Sequence, residues 1–260
     1  MIELVESPVH RIVFDIDDTL GIFGYLSMWH QMLMEKMIIM NGSFPQEVYD
    51  QKFQIKDTNM LKRPLTYEEI REVLYPCFKL SCRNGFDEFL KFLSDMKKLH
   101  NIEYHLCTFQ IFVEQSRVIL DWVNMYANDL GIVGELFSSS DPNIKTLINN
   151  YECYLAGDPS WLYYKKAEYY GENTIIFDDK PHCWNYPSRV TQVSKYSVDP
   201  EVSFTKNLVM SLRENELLTD KLSDRDIIDG LDILNPLEPR PPGPIPDCSL
   251  MKNTILFHFM

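Results

Sequence analysis

Two pairs of aspartates follow short apolar runs. Asp15 and Asp17 come after Ile12-Val13-Phe14, and Asp178 and Asp179 come after Ile175-Ile176-Phe177. Each run reads as a short buried strand. Such a strand tolerates acid residues only at its end, and open α/β sheets place their sites at the C-terminal ends of strands. Asp15 and Asp17 are two residues apart, so an extended backbone points both the same way. Carboxylates held side by side require a shared proton or a cation. A divalent metal is the simplest resolution, and Mg²⁺ favours carboxylate oxygens together with water and phosphate.

Two further groups stand where the same chemistry could use them. Thr108 ends the strand expected over Ile102–Cys107, and Lys165 lies in a helix expected over Trp161–Tyr170, stopped by Gly171. Taken singly each is a weak signal, since a lone lysine on a helix is usually solvated, and Lys166 competes for the role of Lys165. Taken together the groups suit phosphoryl transfer. A carboxylate nucleophile divides hydrolysis into formation and breakdown of an aspartyl-phosphate. An acid/base protonates the leaving oxygen and then activates water. A hydroxyl and an ammonium hold the phosphoryl oxygens, and Mg²⁺ neutralises their charge.

The elements that must position these groups alternate. After the first strand, apolar residues at helical spacing run from Ser27 to Met40, a second helix is expected over 45–53, and a third is marked by Thr66 with Glu69 three residues on. Asp87–Leu99 reads as an amphipathic helix, 111–130 as another, and Ser223–Leu234 as a closing helix. Tyr151–Ala156 and Val190–Val193 read as strands, and so does the apolar end Thr254–Met260. Residues 138–143 are a turn cluster. Asn235–Pro246 holds six prolines and is expected to be an extended linker. The strand–helix alternation predicts an α/β protein with a parallel sheet and crossover helices. The expected division is a core of 1–20 and 81–234, a helical insertion at 21–80, and a Pro-rich tail at 235–260.

The chain has 260 residues, 45% of them hydrophobic, enough for one sizeable core and an insertion. Its net charge of −13 argues against direct nucleic-acid binding and suits a basic protein partner. The six cysteines are scattered without a Cys-x-x-Cys pair, and residues 1–11 do not read as a secretory leader. No apolar run is long enough to span a membrane. The expectation is an intracellular protein, nuclear or cytoplasmic, with reduced thiols.

The order apolar-apolar-Asp-x-Asp-x-Thr-Leu at 13–20 resembles motif I of the haloacid dehalogenase-like phosphotransferases. Ile175 to Trp184 resembles motif IV of the phosphatases of the RNA polymerase II C-terminal domain, which include the small and NLI-interacting-factor-like members. His105–Phe109 resembles motif II and Arg83–Leu90 the family's Arg-Pro segment, with Asn84 replacing the proline. The resemblance covers 10–20 and 82–235. It implies a Rossmann-like fold of the haloacid dehalogenase type with an insertion after motif I. It also implies a Mg²⁺-dependent phosphatase acting on phosphoserine or phosphothreonine in a protein. By resemblance Asp15 is nucleophile and metal ligand, Asp17 is acid/base and lends its backbone carbonyl to the metal, Asp179 is the third metal ligand with Asp178 supporting, and Thr108 and Lys165 hold the phosphoryl group. Two alternatives stay open. One is an enzyme for a small phosphate ester or a nucleic-acid 3′-phosphate, and the other is an interaction protein that kept the fold.

Overall fold

The computed structural model describes residues 8–23, 26, 29–30, 33, 61–109, 113–126, 130–137, 144–148, 152, 156, 165–180, 188–196, 203–220, 222–234 and 246–260. In chain order the elements are β1 (His10–Phe14), α1 (Tyr67–Ser81), α2 (Phe86–Leu99), β2 (Ile102–Phe109), α3 (Val113–Tyr126), β3 (Val133–Phe137), α4 (Ile144–Leu147), α5 (Lys166–Tyr170), β4 (Thr174–Asp178), β5 (Val190–Gln192), α6 (Phe204–Glu214), α7 (Asp224–Leu234) and α8 (Ser249–Phe259). The five strands form one parallel sheet in the order β3-β2-β1-β4-β5. With its flanking helices this is an α/β, Rossmann-like arrangement. No helix among the described residues is long and apolar enough to cross a membrane.

The chain divides into two compact units. The first comprises Met1–Ile22, Cys82–Ser197 and Pro244–Met260, and holds the sheet; the second comprises Phe23–Ser81 and Val198–Gly243. The N-terminal boundaries fall close to the expected 20/21 and 80/81. The expected grouping of the later chain differs: 198–234 clusters with 23–81, and 244–260 clusters with the sheet.

In the first unit the central strands are apolar on both faces because helices cover both. Ile12, Val13, Phe14, Ile175, Ile176 and Phe177 are buried. On one face Phe14 stacks on Phe177 with ring centres 5.4 Å apart and meets the edge of Phe89 from α2 at 5.6 Å. The Tyr104 hydroxyl donates to the Leu93 carbonyl at 2.7 Å, giving this buried ring a partner for its polar end. On the other face Val13, Cys107, Ile176 and Val190 pack with Leu147, Ala167 and Tyr170, so α5 lies over β1 and β4.

In the second unit α1 packs against α6 and α6 against α7. The expected capping box is present: Glu69 N–H donates to Thr66 Oγ1 at 3.2 Å, and Thr66 N–H donates to Glu69 Oε2 at 2.9 Å. Arg63 adds a charged contact to Glu69 at 2.5 Å, and together these hold its carboxyl down at about 2. Arg213 ties α6 to the turn before α7 through the carbonyls of Thr219 and Leu222 and through Asp224 at 2.6 Å.

Three expectations are corrected. Residues 254–259 belong to helix α8, with Met260 as its C-cap, and form no strand; Met251 and Ile255, four apart, are its buried positions, and Lys252 N–H bonds to Cys248 O at 3.0 Å. Where 151–156 was expected to be a strand, Glu152 is helical and Ala156 N–H bonds back to its carbonyl at 3.0 Å; the other residues of that stretch lie outside the described ones. Helix α5 begins only at Lys166. Strand β3 and helix α6 were not anticipated. Among the expected helix of 27–40, Trp29, His30 and Leu33 are described and helical. The expectations for 45–53, 138–143 and 235–245 lie outside the described residues.

Candidate active site

The sheet register brings the two acid pairs together. Phe14 is paired with Leu106 on one side and Phe177 on the other. The next residue of β1 is Asp15 and the next of β4 is Asp178, so the two acids lie side by side. They stand where strand order reverses, between β1 and β4, the place at which an open parallel sheet leaves a crevice. Period-two alternation then decides what they face. Asp15 shares its face with Val13, and Asp178 shares its face with Ile176, which is the face covered by α5.

The first residue of α5 is Lys166. Its ammonium lies 2.9 Å from Asp15 Oδ1 and 2.5 Å from Asp178 Oδ2, and its side chain is 3% exposed. Lys166, the competing candidate, is thus the lysine that meets the carboxylates, where Lys165 was expected. Lys165 caps α5 through its backbone: its N–H donates to Leu147 O at 2.6 Å, and its carbonyl accepts from Glu168 and Tyr169 N–H. The two are adjacent on the helix, and only the buried one meets the carboxylates. Sequence spacing could not separate them.

A five-residue helix has little stability of its own, so α5 is held from outside. Arg189 Nη1 donates to the carbonyls of Ala167 at 3.1 Å and Gly171 at 2.7 Å. Thr174 Oγ1 donates to Tyr170 O at 3.1 Å, and the Tyr170 hydroxyl donates to the Glu135 carboxylate of β3. Gly171 leaves the helix with φ of 84°, a conformation that side chains with a Cβ resist.

Asp179 joins the cluster from the turn after β4. One carboxylate oxygen from each of Asp15, Asp178 and Asp179 can be chosen so that all three lie within 4.8 Å of one another. Lys180 touches both members of the second acid pair: its N–H donates to Asp178 Oδ1 at 3.0 Å, and its ammonium lies 2.7 Å from Asp179 Oδ2. Three hard oxygen donors of like charge in a largely buried pocket fit a divalent ion such as Mg²⁺. Asp178 thus stands with Asp15 and Asp179 as one of three clustered carboxylates, where the expected metal set was Asp15, Asp179 and the backbone carbonyl of Asp17, with Asp178 in support. Burial and then the charge of Asp178 push the Asp15 carboxyl well above its usual range, against the pull of Lys166. For Lys166 burial works against the charge, but Asp15 and Asp178 together outweigh it and hold the ammonium firmly protonated.

Asp17 lies in the turn that follows β1. It bridges to Gly21, while Asp18 N–H donates to Gly21 O at 2.7 Å. Asp18 has φ of 63°, uncommon outside glycine. The turn is held by Arg83, a buried cation missed as a functional candidate. Its guanidinium donates to Thr19 O at 2.6 Å, Asp18 O at 2.8 Å and Ser194 O at 2.7 Å. The segment after β5 is thereby tied to the loop that carries Asp17. Thr108 is buried near the C-terminal end of β2, the strand beside β1.

No family model matches the chain, and no curated protein matches its sequence.

Proposed function

We propose that this protein is a Mg²⁺-dependent phosphatase of the haloacid dehalogenase-like type, acting on phosphoserine or phosphothreonine in a protein. The observation that carries the reading is the grouping of Asp15, Asp178, Asp179 and Lys166 at the strand-order reversal of a parallel sheet. It agrees with the resemblance of 13–20 and 175–184 to phosphatase motifs.

In this reading an Asp15 carboxylate oxygen attacks phosphorus and the bond to the leaving serine or threonine oxygen breaks. Asp17 gives that oxygen a proton. Water then attacks the aspartyl-phosphate, Asp17 takes its proton, and phosphate leaves with Asp15 restored. Lys166 and Thr108 hold phosphoryl oxygens. Asp15, Asp178 and Asp179 would hold Mg²⁺, which supplies charge neutralisation on those oxygens. Arg83 keeps the Asp17 turn in place before substrate arrives, so that little reorganisation accompanies the reaction.

The test is hydrolysis of phosphopeptides with and without chelator. Turnover should stop in chelator, return with Mg²⁺ and not with Ca²⁺, whose longer and looser coordination misplaces the reacting groups. Asp15→Asn should abolish turnover because the amide is nearly isosteric but a far poorer nucleophile. Equal activity in chelator, or substantial turnover by Asp15→Asn, would sink the proposal.

A further inference from the structure

We infer that Lys180 is a built-in competitor for the metal: its ammonium occupies the Asp179 carboxylate that a divalent ion would use, and so sets how tightly the site takes Mg²⁺. The inference rests on the reading of Asp15, Asp178 and Asp179 as the metal-holding set.

Among the described residues two ammonium groups meet this cluster, and they are not equivalent. Lys166 is 3% exposed and bridges two carboxylates. Displacing it would leave a buried cation short of partners, which is strongly unfavourable. The Lys180 side chain is 44% exposed and its ammonium meets Asp179, whose carboxylate is 4% exposed. With nearly half its side chain already in solvent, Lys180 gives up little hydration on moving off Asp179, and an arriving dication would replace its charge on the buried carboxylate. Its backbone N–H stays bonded to Asp178 Oδ1, so the side chain can swing while the turn keeps its shape. Of the two cations, Lys180 is the one that yields.

The electrostatic consequence has a definite sign. An ammonium 2.7 Å from one oxygen of Asp179 lowers the negative potential that would draw a dication to the cluster. Metal entry must either displace that ammonium or bind beside it, and both weaken binding. Entry also frees a cation at the edge of the site, where a phosphoryl group carries negative oxygens.

The experiment is calorimetric titration of MgCl₂ into the 260-residue chain and into its Lys180→Met and Lys180→Arg variants. Methionine keeps an unbranched chain and the backbone N–H but removes the charge. Lys180→Met should lower the Kd for Mg²⁺ by about tenfold, while Lys180→Arg stays within about twofold of the parent. Unchanged or weaker binding by Lys180→Met overturns the inference, and absence of binding in both proteins overturns it together with the metal reading. Binding by Lys180→Met alone upholds it. The titration reads binding and not turnover, so a tenfold tightening in a protein without phosphatase activity refutes the proposed function while upholding this inference.

Discussion

Asp15 is held in a place that disfavours its charge, and this has a measurable sign. Its carboxyl is raised above the ordinary 3.8 by burial and by Asp178. A carboxyl raised in the folded state favours folding when protonated. That stability is fully present below pH 3.8 and is lost as pH rises through the raised value. Asp15→Asn should therefore melt higher than the parent at neutral pH without metal, by roughly 2–4 °C for each kcal/mol relieved. The gap should widen from pH 4 upward, and parallel melting curves would contradict the account. A second residue-scale prediction separates the adjacent lysines. Lys166→Met should lower kcat by about 10²-fold or more, while Lys165→Met should leave it nearly unchanged; a reversal in steady-state rates would return the role to Lys165. The acids were legible because two charges at the end of an apolar run conflict with burial. Lys180 was not, and Lys166 could not be separated from Lys165 nor Arg83 given a role, because a cation reads as surface until a carboxylate or carbonyl is shown beside it.

Capping and anchoring act at the scale of the element. Thr66→Ala removes the acceptor for Glu69 N–H and should cost about 1 kcal/mol of stability in denaturant titration; no change would mean that Arg63 and Glu69 hold the first turn of α1 alone. Loss of Arg83 should act more locally. Arg83→Met would take this donor from the carbonyls of Thr19 and Ser194 and leave Asp18 O with the Tyr196 N–H alone, and amide exchange should rise over 17–21 well beyond any rise in α2. A uniform increase would make Arg83 a general packing residue. Elements with a strong period, such as α2, or an unbroken apolar run, such as β4, were readable from sequence. Strand β3 was not: it is five residues long, and Gly134 within it gives no side-chain signal. A Cβ there would lie 2.4 Å from Leu120 Cδ2 of α3, so the Leu120 side chain would have to move to admit one, information that lies elsewhere in the chain. Helix α8 misled because its apolar residues circle the axis and carry no period. Helix α6 did carry one, with Phe204, Leu208 and Leu212 four apart, and could have been found.

For the whole molecule the open question is what reaches the cluster. The net charge of −13 predicts that a basic phosphoserine peptide outcompetes a small aryl phosphate, with kcat/KM falling as salt is raised. Preference for the aryl ester with no salt effect would favour a small-molecule phosphatase. The strand order has a consequence of another kind. Strand β1 is the first to leave the ribosome, yet its partner β4 begins at Thr174, and the ring of His10 is covered by Phe259, 5.1 Å away in the last helix. The central pairing is thus among the most distant along the chain, and distant pairings close slowly because a long loop must be ordered first. Asp15 meets Asp178 only when that pairing forms. A nascent or truncated chain ending before Thr174 would expose the apolar edge of β1 and carry an isolated Asp15 without Lys166 beside it. The acid cluster therefore assembles no earlier than the β1–β4 pairing that carries it.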